Sequence, residues 1–79
     1  MKIKVKLFAT LRPYLGDVPS GKAVEMDISE GSTMGTLVEL LKLPPDEVKI
    51  CFVNGCIVEL EESLKDGDEI GIFPPIGGG

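Results

Sequence analysis

Apolar and charged residues alternate from the first positions of the chain. Residues 2–8 read Lys-Ile-Lys-Val-Lys-Leu-Phe. Ile3, Val5 and Leu7 recur at period two with Lys2, Lys4 and Lys6 between them, which predicts a strand with one buried face. Phe8 continues the lysine face and sets a large aromatic where a charge is expected. Alternation resumes over 22–28, with Val24, Met26 and Ile28 facing inward and Glu25 and Asp27 outward. Between the two, Pro13, Gly16, Pro19 and Gly21 predict a loop or long turn over 10–21. Strand, loop, strand predicts a hairpin with an open connection.

The period then changes. Leu37, Leu40 and Leu41 follow at i, i+3, i+4, widened by Val38 and Leu43, with Glu39 and Lys42 outside the stripe. Ser32 is placed to cap this helix, whose first turn begins near Thr33. Pro44 and Pro45 are expected to end it. Residues 48–53 predict a third strand, Asn54-Gly55 a two-residue type I′ turn, and 56–59 the returning strand. A short helical turn is expected over 61–65 and a loop at Asp66-Gly67-Asp68. Residues 69–73 predict the last strand, with Ile70 and Ile72 on one face and Gly71 and Phe73 on the other.

The class this order predicts is α+β, with one main helix packed on one face of a mixed sheet of four to five strands. Ile3, Val5, Leu7, Leu37, Leu40, Leu41, Ile70 and Ile72 would make most of the core. One helix cannot cover both faces, so the other is left to solvent or to a partner. The folded domain is expected over 1–73 and a flexible tail over 74–79.

The chain has 79 residues, 43% of them hydrophobic, which suits one domain with a modest core. The formal net charge of −5 speaks against nucleic acid and anionic membrane as partners, since both reward clustered Lys and Arg. It suits a partner with a basic surface. No apolar run approaches the roughly 20 residues that span a bilayer, and the first residues lack a signal-peptide pattern. A cytoplasmic protein is therefore expected; the chain is also expected to be monomeric when free.

There is no His, and with it goes the commonest general acid–base. Two cysteines cannot complete a four-ligand metal site, so no metal is expected. Across the predicted hairpin Cys51 and Cys56 share a face but sit diagonally, about 7–8 Å apart, too far for a disulfide. They read as ordinary small apolar residues.

The tail offers different chemistry. Pro74 and Pro75 stiffen an extended exit. Gly77, Gly78 and Gly79 lack Cβ atoms and can thread a narrow channel. Such an arm presents the carboxylate of Gly79 to an active site on another protein, where it must first be activated, typically as an acyl-adenylate. Three glycines taken alone also suit a frayed chain end.

Phe73-Pro74-Pro75-Ile76-Gly77-Gly78-Gly79, preceded by Lys65-Asp66-Gly67-Asp68-Glu69-Ile70, resembles the C-terminal signature of the MoaD/ThiS family of ubiquitin-like sulfur carriers. Leu7-Phe8-Ala9-Thr10-Leu11-Arg12 resembles the opening of its MoaD branch, the small subunits of molybdopterin synthase. Val53-Asn54-Gly55 falls at the family's hairpin. The resemblance implies a β-grasp fold and a carrier cycle. An adenylyltransferase of the MoeB/ThiF type would use ATP to adenylate Gly79, and a sulfur donor would convert it to a thiocarboxylate. That group would deliver sulfur to a pterin precursor on a large synthase subunit of the MoaE type. In the thiamine branch the recipient would be a thiazole on thiazole synthase.

The carrier itself would bind no cofactor tightly. Gly77, Gly78, Pro74 and Pro75 would thread the partner's active site. Phe8 and Phe73, on neighbouring strands in a β-grasp sheet, would belong to the partner interface. Arg12 suits a salt bridge to a partner and a solvated loop charge equally. Two other classes stay open: a protein modifier joined through Gly79 to a lysine, and a plain binding module with no tail chemistry.

Overall fold

The lysine–apolar alternation forms strand β1 (Lys2–Leu7), with Ile3 and Val5 wholly buried. The computed structural model describes residues 1–16 and 21–75. After β1 come β2 (Val24–Asp27), α1 (Met34–Leu40), β3 (Ile50–Val53), β4 (Cys56–Val58) and β5 (Glu69–Phe73). The five strands make one mixed sheet in the order β2-β1-β5-β3-β4. β1 and β5 run parallel, and the other neighbours are antiparallel. The last strand thus lies at the centre, where Ile70 and Ile72 join Ile3, Val5 and Leu7 under the helix.

The helix departs from its expected limits at both ends. Its cap is Thr33, not Ser32. The Thr33 hydroxyl accepts from the Thr36 amide, and the Thr36 hydroxyl accepts from the Thr33 amide, both at 3.2 Å. This reciprocal box satisfies two donors at once. Ser32 instead donates to the Ser29 carbonyl at 2.7 Å. At the other end the helix stops before either proline. Lys42 adopts φ 58°, its amide donates to the Glu39 carbonyl, and the Leu43 amide donates to the Val38 carbonyl. That pair of bonds is a Schellman closure, which caps the last carbonyls and turns the chain. Pro45 begins a separate 3-10 turn, Pro45–Glu47.

Two more first-turn amides of α1 find partners in the chain that follows β4. Met34 donates to the Glu62 carbonyl at 2.9 Å and Gly35 to the Leu60 carbonyl at 2.8 Å. A Cβ on Gly35 would stand 3.3 Å from that carbonyl, so the strap lies close. The helical turn expected over 61–65 is absent for this reason. The Glu62 carbonyl within it and the Leu60 carbonyl before it serve the start of α1, and Ser63 pairs with Thr33 in an isolated bridge.

The core differs from expectation in one member. Leu40 is 55% exposed. The buried stripe is Met34, Leu37 and Val38, with Leu41 packed against it. At 3.6 residues per turn Leu40 lies about 110° around the helix from the centre of that stripe. Part of the loop expected over 10–21 is ordered: Ala9–Leu15 is a 3-10 helix that wholly buries Leu11. Leu64 and Leu43 complete the core. Among the described residues no helix is long and apolar enough to cross a membrane.

The hairpin follows its sequence closely. Asn54 and Gly55 adopt φ 52° and 84°, as a type I′ turn requires. The register sets Val53 against Cys56 and Cys51 against Val58, leaving the cysteines diagonal. Both are free thiols, Cys51 buried and Cys56 exposed.

Candidate functional site

The face of the sheet away from α1 carries all three phenylalanines of the chain. Strand register assembles them. Lys6, Gly71, Phe52 and Ile57 form one row across β1, β5, β3 and β4. Phe73 pairs with Ile50 in the next row. Phe8 lies just past the end of β1, where its amide donates to the Ile72 carbonyl at 3.2 Å. The Phe8 and Phe73 rings therefore stack, centroids 4.0 Å apart and 4° from parallel. Phe52 meets Phe73 edge-on at 5.5 Å and 74°. Gly71 supplies the floor, and a Cβ there would sit 3.4 Å from the Phe8 ring.

This cluster borders an open groove of about 570 Å³. Lys4 and Lys6 line one side, and Asn54 and Glu69 stand on the hairpin side. Aromatic rings with a charged rim are usual in docking surfaces. The hairpin end of the groove is tied by side-chain hydrogen bonds. The Asn54 side chain donates to Asp68 Oδ1 and accepts from the Glu69 amide, both at 3.0 Å. Asp68 is buried and its other oxygen accepts from the Lys65 amide at 2.7 Å.

The exit of the tail is also anchored. The Lys49 amide donates to the Phe73 carbonyl at 2.9 Å. Pro74 is buried and Pro75 exposed. Gly77, Gly78 and Gly79 lie outside the described residues. Arg12 is exposed on the Ala9–Leu15 segment and forms no ion pair among the described residues.

Phe8 and Phe73 thus come together, with Arg12 on the segment that follows Phe8. Phe52, Ile57 and Gly71 belong to the same surface and were not among the expected site residues. The signal for Phe52 lay in the strand itself: alternation places it out of phase with Cys51 and Val53, and the Asn-Gly turn sets it opposite Ile57. On the helix side, burial raises the Cys51 thiol pKa above its ordinary 9.0, and the charge of Glu59 raises it further. Among the described residues no group of His, Cys, Asp and Glu is arranged to hold a metal.

A mixed five-stranded sheet with its last strand at the centre and one helix across it is a ubiquitin-like β-grasp domain. The chain belongs to the ThiS family, whose model matches residues 5–79, and so to the MoaD/ThiS-like sulfur carriers. It is 31% identical to the molybdopterin synthase sulfur carrier subunit of Escherichia coli (strain K12), over 98% of this chain and 99% of that one. A structure from Pyrococcus furiosus, assigned as subunit 1 of the molybdopterin converting factor, is 32% identical with a TM-score of 0.71, over 95% of this chain and 98% of that one. SAMP1 from Haloferax volcanii is 27% identical with a TM-score of 0.71, and the match covers all of both chains.

Proposed function

We propose that this chain carries sulfur for molybdopterin synthesis as a thiocarboxylate on Gly79. The observation that carries the reading is the end-to-end match to a sulfur carrier subunit of molybdopterin synthase, in a chain that ends Gly77-Gly78-Gly79. A partner adenylyltransferase of the MoeB/ThiF type joins the Gly79 carboxylate to AMP with release of pyrophosphate. Sulfur from a donor then displaces AMP, and the resulting thiocarboxylate gives its sulfur to the pterin precursor. ATP is consumed by the partner, and the carrier holds no cofactor of its own.

The division of labour follows from the chemistry. A carboxylate anion is a poor electrophile until adenylated, and the ionised thiocarboxylate is a good nucleophile. Residues 1–73 are the domain that partners grip, and 74–79 are the arm that reaches their active sites. Pro74 and Pro75 direct that arm and Gly77 and Gly78 thread the channel. Phe8, Phe73 and Arg12 face the large synthase subunit. The carrier acts in the cytoplasm and is monomeric when free.

The experiment is mass spectrometry after incubation with ATP, a MoeB/ThiF-type enzyme and a sulfur source. The expected result is a mass gain equal to the difference between one sulfur and one oxygen atom, localised to Gly79. Its absence with every cognate activating enzyme would sink the proposal. Sulfur passing only to a thiazole would favour the thiamine branch. Isopeptide conjugates without a thiocarboxylate would favour a protein modifier. Activity surviving removal of Gly78 and Gly79 would favour a binding module.

A further inference from the structure

We propose that the cleft between α1 and the free edge of β4 receives an extended, lysine- or arginine-bearing segment of a partner protein, which adds to the sheet as a sixth strand. The cleft lies on the other side of the sheet from the three phenylalanines and is independent of the tail chemistry.

Among the described residues β4 is bonded to β3 alone, which leaves its other edge open. The register says which backbone groups that edge offers. The pair that flanks a two-residue hairpin turn exchanges both of its hydrogen bonds, and the pairs alternate from there. Val53–Cys56 and Cys51–Val58 are therefore the bonded pairs, and Phe52–Ile57 is not. The N–H and C=O of Ile57 point away from β3, toward the open edge. The Ile57 side chain is 68% exposed.

Beside this edge is a cleft of about 360 Å³. Val38 of α1, Cys51 and Val58 give it an apolar lining, and Leu60 closes one end, held by its bond to the Gly35 amide. Side chains of an added strand alternate between its two faces. One set would enter the cleft over Val38 and Val58, and the other would lie over Ile57. Main-chain bonds supply affinity in this mode of recognition, and the flanking pockets supply specificity.

Charge identifies the occupant. Glu39 and Glu59 stand on opposite walls, and Lys49 is the one cation in the lining. Asp46 and Glu47 follow Pro45, which also lines the cleft. The field of Glu59 reaches the buried Cys51 thiol, where it adds to the effect of burial. The groove of the phenylalanine face, by contrast, sets Lys4 and Lys6 against Glu69 alone among charged residues. The two sides of the sheet thus differ in charge, and complementary charge selects partners and suppresses wrong ones. A basic strand suits the β4 cleft and an acidic one does not.

The test is a titration of the isotopically labelled full chain with the peptide acetyl-Lys-Val-Lys-Val-Lys-Val-Lys-amide, read by amide NMR. Saturable shifts are expected at Ile57 and Glu59, with slowed hydrogen exchange at the Ile57 amide. Added salt should weaken the binding. The Glu39→Lys/Glu59→Lys double variant, altered only at exposed positions, should bind at least about tenfold more weakly while its β1 amide spectrum stays unchanged. A Glu-Val-Glu-Val-Glu-Val-Glu peptide should leave the β4 edge unshifted. The proposal is overturned if the basic peptide produces no saturable shifts, if they map to the Phe8–Phe73 groove, or if the double variant binds equally well.

Discussion

Phe8 and Phe73 stack face to face with ring centroids 4.0 Å apart. They come from opposite ends of the chain, and the parallel pairing of β1 with β5 sets them side by side. Phe52 braces the pair edge-on, and Gly71 leaves the space beneath. Rings that already pack together in the free chain need little further ordering to dock.

Replacing Phe8 by Ala should cost about 1 kcal/mol of stability, the order of an aromatic pair. Affinity for the large synthase subunit should fall by about tenfold or more, since aromatic anchors dominate interfaces. Denaturant unfolding and calorimetric titration measure the two effects separately. Unchanged affinity beside the loss of stability would mean that Phe8 serves the fold alone.

Gly71 should tolerate a methyl and nothing larger. A Cβ meets the Phe8 ring at 3.4 Å, an ordinary contact. Gly71→Ala should shift stability by less than about 1 kcal/mol, because the lost ring clearance is offset by reduced unfolded-state entropy. Gly71→Leu should separate Phe8 from Phe73. The aromatic ring-current shifts of the two residues report that outcome directly.

Asn54 and Asp68 should prove energetically coupled. The Asn54 amide group makes two hydrogen bonds, one of them to the buried Asp68 carboxylate. A double-mutant cycle with Asn54→Gly and Asp68→Ala should return a coupling of about 1 kcal/mol. Asn54→Ala should be worse than Asn54→Gly by about 1–2 kcal/mol, because φ 52° strains a residue with a Cβ. A coupling near zero would show that the turn holds itself.

The two thiols should differ in reactivity and in their effect on alkaline stability. Cys56 is exposed and should alkylate at once, whereas Cys51 is buried and should react only on opening. The folded-state pKa of Cys51 is raised by burial and then by Glu59. The fold therefore favours the protonated thiol. Its stabilising contribution is whole below the unfolded pKa and is lost as pH rises past 9.0 through the raised folded value. Cys51→Ser should flatten that alkaline decline, and denaturation midpoints measured across the window would reveal it.

Much of this protein can be read from the chain by itself. Alternation at Ile3, Val5 and Leu7 defines a strand and its buried side, because side chains on a strand alternate between faces. Asn54-Gly55 defines a turn and with it the register of its hairpin, because few other pairs accept two positive φ angles. The opening and closing motifs define the family. Helix limits were less legible. Ser32, Thr33 and Thr36 all have capping hydroxyls, and only the approach of the Leu60–Glu62 carbonyls settles where the first turn begins. Leu40 carries the same apolar signal as Leu41, and the direction of the sheet decides which of them is buried. Phe52 looked like a strand residue of no special place until β5 came between β1 and β3. Local patterns are set by backbone geometry and are written within a few residues. Which aromatic meets which, and which edge stays open, depends on contacts between distant segments, and those exist only once the sheet has closed.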